Sequence, residues 1–235
     1  DVCCLQYNQK GYWADITKAK QAFRGKLKIR LGVELGQPHL FPEATNAILT
    51  DFPYDYVLIS AHKLPGGMDI SEIDYREIRE EELCGMYLGQ LKELVNWNDF
   101  DCIGHLDLIK RYSAAVYKKN ISLICQYELL KEVLQLAIDR EKGIEINTSG
   151  LRQTPKETMP GLDVLKLYRY LGGEVLTIGS DAHSAGDVGK GLREAVDLAR
   201  AAGFRFITAF TDRKPEWISI TEEKNIFGNT KIIIA

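Results

Sequence analysis

Short apolar runs alternate along the chain with longer segments in which apolar residues recur every three or four positions. The short runs are rich in valine, isoleucine and phenylalanine, as buried strands are, and the longer segments have the period of amphipathic helices. The predicted strands are residues 28–35, 54–61, 100–105, 143–147, 174–178, 204–210 and a final short run at 217–220. This alternation predicts an α/β fold built on a mostly parallel sheet.

The intervening helices are predicted at residues 16–24, 43–50, 71–95, 121–141, 161–171 and 187–201. Ser71 can cap the third helix, and acidic residues in its first turns suit the positive end of the helix dipole. Gly143 is expected to stop the fourth helix, and Gly172-Gly173 the fifth. Because no linker or repeat interrupts the pattern, and α/β barrels of about 200–250 residues commonly form one domain, residues 1–235 are predicted to be a single domain.

Composition narrows the class of partner. The net charge of −3 provides no basic surface for nucleic acid or for an anionic membrane. The five cysteines are scattered and odd in number, which indicates reduced thiols in a cytoplasmic protein rather than a disulfide framework or a zinc ribbon. The expected partner is therefore a small molecule, and the oligomeric state stays open.

Metal-capable side chains follow four of the predicted strands. Three of the four histidines, His62, His105 and His183, come directly after strands. Glu34 ends the first strand and Asp181 accompanies His183. Since the carboxyl ends of parallel strands converge on one face, these groups predict one site, and imidazole with carboxylate is the ligand set of hydrolytic zinc, iron or manganese centres. No Gly-x-Ser-x-Gly turn supports a serine triad instead.

Five motifs resemble those of the PHP (polymerase and histidinol phosphatase) family, in family order over most of the chain. They are Gly32-Val33-Glu34-Leu35-Gly36-Gln37-Pro38-His39, Ser60-Ala61-His62, Gly104-His105-Leu106-Asp107, Glu145-Ile146-Asn147-Thr148-Ser149-Gly150-Leu151-Arg152 and Gly179-Ser180-Asp181-Ala182-His183. The first and fourth motifs are similar to those of the monofunctional histidinol-phosphatase branch.

This resemblance implies a distorted (β/α)7 TIM-like barrel that holds two or three divalent metal ions, of zinc, iron or manganese. It implies that Glu34 bridges metals and that His62, His105, Asp181 and His183 ligate them. The implied reaction is hydrolysis of L-histidinol phosphate to L-histidinol and inorganic phosphate, in histidine biosynthesis.

The family's first motif, a His-x-His on the opening strand, has no counterpart in residues 1–15. Either the first strand of the barrel lies upstream of Asp1, or this chain lacks those ligands. The first alternative is favoured because the remaining ligand positions are all occupied and a missing strand would expose a hydrogen-bonding edge. We therefore expect a gap in the barrel beside the strand that carries Glu34.

Three further residues are candidates for catalysis. Arg152, after a glycine loop, is expected to grip the substrate phosphate through paired hydrogen bonds, the alternative being a surface arginine. His39 has three open roles: phosphate contact, general acid on the leaving group, or support of its loop. Asp107 either orients a metal ligand or caps the segment that follows it.

Two rival functions remain at the level of sequence. One is a PHP phosphoesterase acting on a nucleotide or another small phosphate ester, because the metal ligands do not select the leaving group. The other is a catalytically silent PHP-like binding domain, which depends on the absence of the first motif.

Overall fold

Five parallel strands form the centre of the fold. The structure, a computed structural model, describes residues 8–97 and 99–221. The strands are β1 (Gly32–Gly36), β2 (Tyr56–Ser60), β3 (Cys102–Ile103), β4 (Gly143–Asn147) and β5 (Leu176–Gly179). They pair in chain order, β1-β2-β3-β4-β5, and every neighbouring pair is parallel. The predicted α/β class is therefore confirmed, and all five strands point their carboxyl ends at one edge.

Helices follow most of the strands. They are α1 (Gln9–Ala22), α2 (Pro42–Asp51), α3 (Glu80–Trp97), α4 (Ile109–Tyr117), α5 (Tyr127–Asp139), α6 (Ser149–Arg152), α7 (Leu162–Tyr170) and α8 (Leu192–Ala201). On α3 the buried residues Leu83, Tyr87, Leu91 and Leu94 recur at intervals of three and four. Each buried leucine contributes about 1.5–3 kcal/mol relative to exposure, so burial of this stripe holds α3 in the hydrophobic core, beside α5. Among the described residues no helix has the length and apolar character needed to cross a membrane.

An antiparallel hairpin, β6 (Phe206–Thr211) and β7 (Lys214–Ser219), follows the parallel strands. Its two turn residues, Asp212 and Arg213, both have positive φ, at 51° and 62°, as two-residue hairpin turns require. Asp212 N donates to Asp55 Oδ1 at 3.1 Å, and Arg213 Nε donates to Asp101 Oδ2 at 2.7 Å. The strand predicted at 217–220 is thus the second strand of a hairpin, and it begins at Lys214, three residues earlier than predicted.

The described strands form an open sheet rather than a closed barrel. Within residues 8–97 and 99–221, β1 has β2 as its only strand partner, and Tyr12 Oη of α1 donates to Gly32 O at 3.0 Å. At the other end, β6 lies beside β5, where Leu176 N donates to Thr208 Oγ1 at 3.3 Å. The gap expected beside the Glu34 strand stays a prediction, because residues 1–7 lie outside the described part of the chain.

The third predicted helix starts nine residues later than expected. Residues 71–79 form turns, and Ser71 is not a helix cap, because its N and Oγ both donate to Asp69 Oδ1 at 2.9 and 2.6 Å. Asp74 Oδ1 likewise accepts from Arg76 N at 3.1 Å. Such local bonds from aspartate side chains compete with helical hydrogen bonds, so the helix begins only at Glu80.

Other helix and strand boundaries differ from the predicted ones because residues near them have positive φ. Gly143 starts β4 instead of ending a helix, and the chain turns at Glu141, whose φ is 60°. The last helix begins at Leu192 rather than at residue 187, because Gly189 and Gly191 have φ of 76° and 78°. Gly172 ends α7 as predicted, with φ of 95°. The first helix spans Gln9–Ala22 rather than 16–24, and α4 and α6 had no sequence prediction.

Candidate metal centre

The five predicted metal ligands line one cavity of about 280 Å³. Glu34 lies in β1, His62 follows β2, His105 follows β3, and Asp181 and His183 follow β5. Their positions at the carboxyl edge of a parallel sheet explain the convergence, since successive strand ends deliver their side chains to the same place. The structure thus brings together every residue of the predicted ligand set.

Glu34, His62 and His105 form the tight part of the cluster. Glu34 Oε1 lies 3.1 Å from His105 Nε2 and 3.7 Å from His62 Nε2. One ligand atom from each of the three residues lies within 4.8 Å of the others. A carboxylate oxygen and two imidazole nitrogens at this spacing fit a divalent ion that accepts mixed N and O ligands.

The charges in this cluster suit cation binding. Loss of hydration opposes ionisation of Glu34, but the hydrogen bond and charge of His105, helped by Ser60 and His62, hold its pKa well below the usual range. Burial, together with the charge of His105, lowers the pKa of His62 to about 4. At neutral pH Glu34 is therefore a carboxylate and His62 a neutral imidazole, which are the forms that bind metals. Burial opposes protonation of His105, but the hydrogen bond and charge of Glu34 raise the pKa of His105, so a metal ion would compete with a proton for this imidazole.

Asp181 and His183 occupy an adjoining part of the cavity. Asp181 Oδ2 accepts a hydrogen bond from Arg111 Nη2 at 3.0 Å and lies 3.1 Å from Ser149 Oγ, whose hydroxyl donates to Asn147 Oδ1 at 2.6 Å. Asp181 Oδ1 lies 3.5 Å from His183 Nδ1, and the His183 side chain is 86% exposed. These two residues line the same cavity as Glu34, but they stand outside the tight three-residue cluster.

Arg111 is a site residue that sequence reasoning missed. Its guanidinium lines the cavity, and Nη2 donates to Asp181 Oδ2 and to Ser149 Oγ at 2.8 Å. It went unnoticed because the uncapped helix α4 was not predicted. The available signal was helical spacing, since Leu108, Arg111 and Tyr112 all line the cavity from one face.

Arg152 is not among the residues that line this cavity. The geometry favours a contact of its guanidinium with the backbone of the neighbouring loop over the predicted contact with the substrate phosphate. Its Nη2 donates to Ser180 O at 2.7 Å and lies 3.4 Å from Asp181 O. Its Nε lies 3.6 Å from Asp187 Oδ1. Arg152 makes these contacts because it is the last residue of α6, which directs its side chain toward the 180–187 loop. Arg152 therefore supports the loop that carries Asp181.

His39 and Asp107 also lie outside the cavity lining. His39 is in the short 3-10 helix Pro38–Leu40, and loss of hydration lowers its pKa, against the opposing charge of Glu93. Asp107 is buried and forms an ion pair with Lys110 at 2.8 Å. Of the roles left open, loop support fits His39, and anchoring the start of α4 fits Asp107 better than orienting a metal ligand.

Glu145 is a second residue that sequence reasoning missed. It lies in β4, is 6% exposed, and its Oε2 accepts from His105 N at 3.1 Å and from Asn147 Nδ2 at 3.2 Å. Burial raises its pKa to about 7. Gly179 leaves room for this side chain, because a Cβ there would overlap Glu145 Oε1. The carboxylate thus holds the backbone of His105, whose φ is 26°.

Comparison with known proteins identifies the family. The family model described as PHP domain matches residues 6–149. The chain belongs to the PHP domain family. It is 30% identical over 210 residues to the histidinol-phosphatase of Lactococcus lactis, covering 88% of this chain and 77% of that protein. It is 27% identical to the histidinol-phosphatase of Bacillus subtilis, over 80% of this chain and 76% of that protein.

A solved structure shares the fold of this PHP domain. The crystal structure of histidinol phosphate phosphatase from Lactococcus lactis, complexed with zinc, L-histidinol and phosphate, matches with a TM-score of 0.76 and 27% identity. The match covers 89% of this chain and 80% of that one. The predicted resemblance to the histidinol-phosphatase branch is therefore confirmed.

Proposed function

We propose that this PHP domain hydrolyses L-histidinol phosphate to L-histidinol and inorganic phosphate, in a metal-dependent reaction of cytoplasmic histidine biosynthesis. The observation that carries the proposal is the convergence of Glu34, His62, His105, Asp181 and His183 on one cavity, with an arginine beside them. Relatives named histidinol-phosphatase, which cover most of this chain, support the choice of substrate.

The donor set supports a centre of two or three divalent ions. Glu34, His62 and His105 would hold one ion, with Asp181 and His183 contributing to an adjoining position. Such ions neutralise phosphate oxygens and activate water for in-line attack. Zinc is the first metal to test, since it is the metal of the Lactococcus lactis structure, with iron and manganese as alternatives.

Arg111 is the protein's own phosphate-binding group in this proposal. A guanidinium presents parallel N–H donors that match two phosphate oxygens, and these contacts strengthen as negative charge builds on the transferred group. Ser149 is not needed as a nucleophile, because its hydroxyl already donates to Asn147 Oδ1 at 2.6 Å. In this proposal a water molecule would be the attacking group, and no phosphoenzyme would form.

The test is phosphate release by the purified, metal-loaded protein from L-histidinol phosphate and, in parallel, from AMP. We expect hydrolysis of L-histidinol phosphate to exceed that of AMP clearly. Glu34→Gln and His105→Asn should lower kcat/KM by roughly 10³-fold or more together with metal content, because metal affinity and charge are both lost. Glu128→Gln, which removes an exposed acid on α5, is the matched control.

Two outcomes would redirect the assignment. Equal turnover of AMP would point to a PHP phosphoesterase of broader specificity. A metal-loaded protein that binds zinc and hydrolyses neither ester would be a binding domain. Arg111→Ala and Arg152→Ala separate the two arginines, since only the first should reduce turnover with the metal content unchanged.

A further inference from the structure

A buried lysine next to Arg111 has no part in the proposed chemistry. Lys110 lies in the first turn of α4 and is only 2% exposed. Its Nζ forms ion pairs with Asp107 Oδ2 at 2.8 Å and with Glu157 Oε2 at 3.3 Å. It also donates to Thr158 O at 3.4 Å. Burial opposes the charged form, but the two carboxylates raise the pKa of Lys110, so the ammonium stays charged. A lysine is rarely buried so completely unless it is paired in this way.

One oxygen of Glu157 joins the two ends of α4. Its Oε2 contacts Lys110 in the first turn of the helix. The same oxygen accepts a hydrogen bond at 2.8 Å from Asn120 Nδ2, three residues beyond the last residue of the helix. Asn120 Nδ2 also donates to Pro155 O at 2.9 Å. Gly161 leaves room for the glutamate, because a Cβ there would lie 2.5 Å from Glu157 Oε1. The segment 155–158 therefore holds α4 at its start and just after its end.

Apolar packing alone holds α4 weakly. The buried residues of this helix are Ile109, Lys110, Ser113 and Ala114, with Tyr112 and Tyr117 partly buried. Ile109 is the one large aliphatic side chain among the buried four, all of which lie in the described part of the chain. Burial of large apolar side chains is what usually fixes a helix on its neighbours. In α4 the ion pairs of Lys110 therefore take over a large share of that role.

The segment that holds α4 is also joined to the loop that Arg111 contacts. Met159, two residues after Glu157, pairs with Asn147 through two backbone hydrogen bonds of 2.9 Å. Asn147 Oδ1 accepts from Ser149 N at 3.0 Å and from Ser149 Oγ at 2.6 Å. Ser149 Oγ in turn accepts from Arg111 Nη2 at 2.8 Å. A closed circuit of contacts therefore runs from the start of α4 through Glu157 and the end of β4 to the guanidinium of Arg111.

We propose that Glu157 is a positioning residue, which fixes α4 at both ends and so holds the Arg111 guanidinium where it can receive the substrate phosphate. This inference rests on the proposed function, in which Arg111 binds phosphate. A guanidinium held in place before the substrate arrives loses less entropy on binding, and a displacement of about 1 Å can cost about 100-fold in rate. Glu157 is not among the residues that line the cavity, so it acts through the arginine.

The experiment is a double-mutant cycle between Glu157 and Arg111. In Glu157→Ala, kcat/KM for L-histidinol phosphate should fall about 10-fold, and inorganic phosphate should bind the zinc-loaded protein about 3- to 10-fold more weakly. In the Arg111→Ala background the same change should alter both quantities less than about twofold, because no guanidinium is left to misplace. Glu157→Gln, which keeps an oxygen acceptor, should recover part of the loss. Glu132→Ala is the matched control, because it removes an exposed glutamate that pairs with Lys92 at 2.8 Å outside the cavity, and it should change neither quantity.

The substitution at Glu157 should leave the fold and the zinc content intact. The Glu157 side chain is 40% exposed, and Lys110 keeps its ion pair with Asp107 when Glu157 is replaced. Equal losses of kcat/KM in the two backgrounds would overturn the proposal, because a general structural role would act without Arg111. A Glu157→Ala variant with wild-type kinetics, or one that has lost zinc, would overturn it as well.

Failure of the proposed function would give a different pattern. If the wild-type protein does not hydrolyse L-histidinol phosphate, calorimetric binding of inorganic phosphate to the zinc-loaded variants still tests Glu157. Wild-type phosphate affinity in Glu157→Ala would then refute the positioning role. Wild-type affinity in Arg111→Ala, or no phosphate binding by the wild type, would refute it too, because Glu157 would have no phosphate-binding arginine to position.

Discussion

Replacing Gly179 with alanine tests whether the Glu145 side chain holds in place the loop after β3, which carries the candidate ligand His105. A Cβ built on Gly179 overlaps Glu145 Oε1 and lies 2.9 Å from its Cδ. Glu145 is 6% exposed and its Oε2 is bonded to His105 N and Asn147 Nδ2, so the side chain cannot withdraw without breaking these bonds. The substitution must therefore displace the carboxylate or the strand.

The cost has two sources. Inserting a methyl group into a packed interior costs about 1–3 kcal/mol, and leaving the buried His105 N without its hydrogen-bond acceptor costs about 1–3 kcal/mol. Because the two changes are coupled, we expect a total loss of roughly 2–4 kcal/mol, out of the ~5–15 kcal/mol typical of a domain. For a chain of this size that corresponds to a fall in Tm of roughly 5–15 °C. Misplacing His105 should also weaken zinc binding about 10- to 100-fold.

The assay is thermal unfolding followed by circular dichroism, with zinc affinity measured against a competing chelator. Gly32→Ala is the matched control, because Gly32 is also a strand glycine and a Cβ at that position would meet nothing closer than 3.5 Å. Combining Gly179→Ala with Glu145→Gln should cost less than the sum of the two single changes. A Gly179→Ala variant with wild-type Tm and zinc affinity would refute the reasoning, since Glu145 would then be free to move.

Three other changes follow from the same structure. Arg111→Ala should lower kcat/KM by roughly 30- to 1,000-fold at constant metal content, measured by steady-state kinetics and elemental analysis. Lys110→Met leaves the buried carboxylate of Asp107 without its ion pair, so urea denaturation should report a loss of about 3–5 kcal/mol. For Glu216, hydrogen bonds from Thr211 and from neighbouring basic side chains lower the pKa to about 2. Since this pKa is lower in the folded than in the unfolded state, Glu216 stabilises the protein above about pH 4.5 and loses that effect as the pH falls toward 2. The side chain is 43% exposed, so the difference between wild type and Glu216→Gln should be at most about 1 kcal/mol at pH 7 and vanish near pH 2.

The strand-end residues could be located from the sequence because two simple rules agree there. Buried parallel strands appear as short apolar runs, and polar side chains directly after such runs must lie at the carboxyl edge of the sheet. His62, His105, Asp181 and His183 satisfy both rules. Glu34 was expected near the end of its strand and lies in the middle of β1, and the structure brings all five residues to one cavity. No knowledge of the helices was needed for this result.

Residues inside elements were harder to find. In β4, Gly143, Glu145 and Asn147 share one face by alternation, so a buried glutamate at the middle position was deducible in principle. A rule that considers only strand ends does not find Glu145, because this residue lies in the middle of β4. Arg111 could be found only by predicting that α4 begins at Ile109, and no capping side chain marks the start of that helix. The phosphate role of Arg152 stays a prediction, because a position after a glycine loop does not determine which way a long side chain turns, and Nη2 of Arg152 bonds Ser180 O.

Two arginines from different elements converge on Asp181. Arg152 bonds the backbone at Ser180, and Arg111 bonds the carboxylate of Asp181, whose φ of 47° holds it in the left-handed region. The Arg111 contact uses the same carboxylate that is a candidate metal ligand. In the proposed metal centre, a cation that bound Asp181 Oδ2 would weaken the ion pair between this carboxylate and Arg111 and would leave the guanidinium more available to phosphate. Metal binding and phosphate binding would then be linked through one oxygen atom, and because linkage is reciprocal, phosphate should tighten metal binding as much as metal tightens phosphate binding.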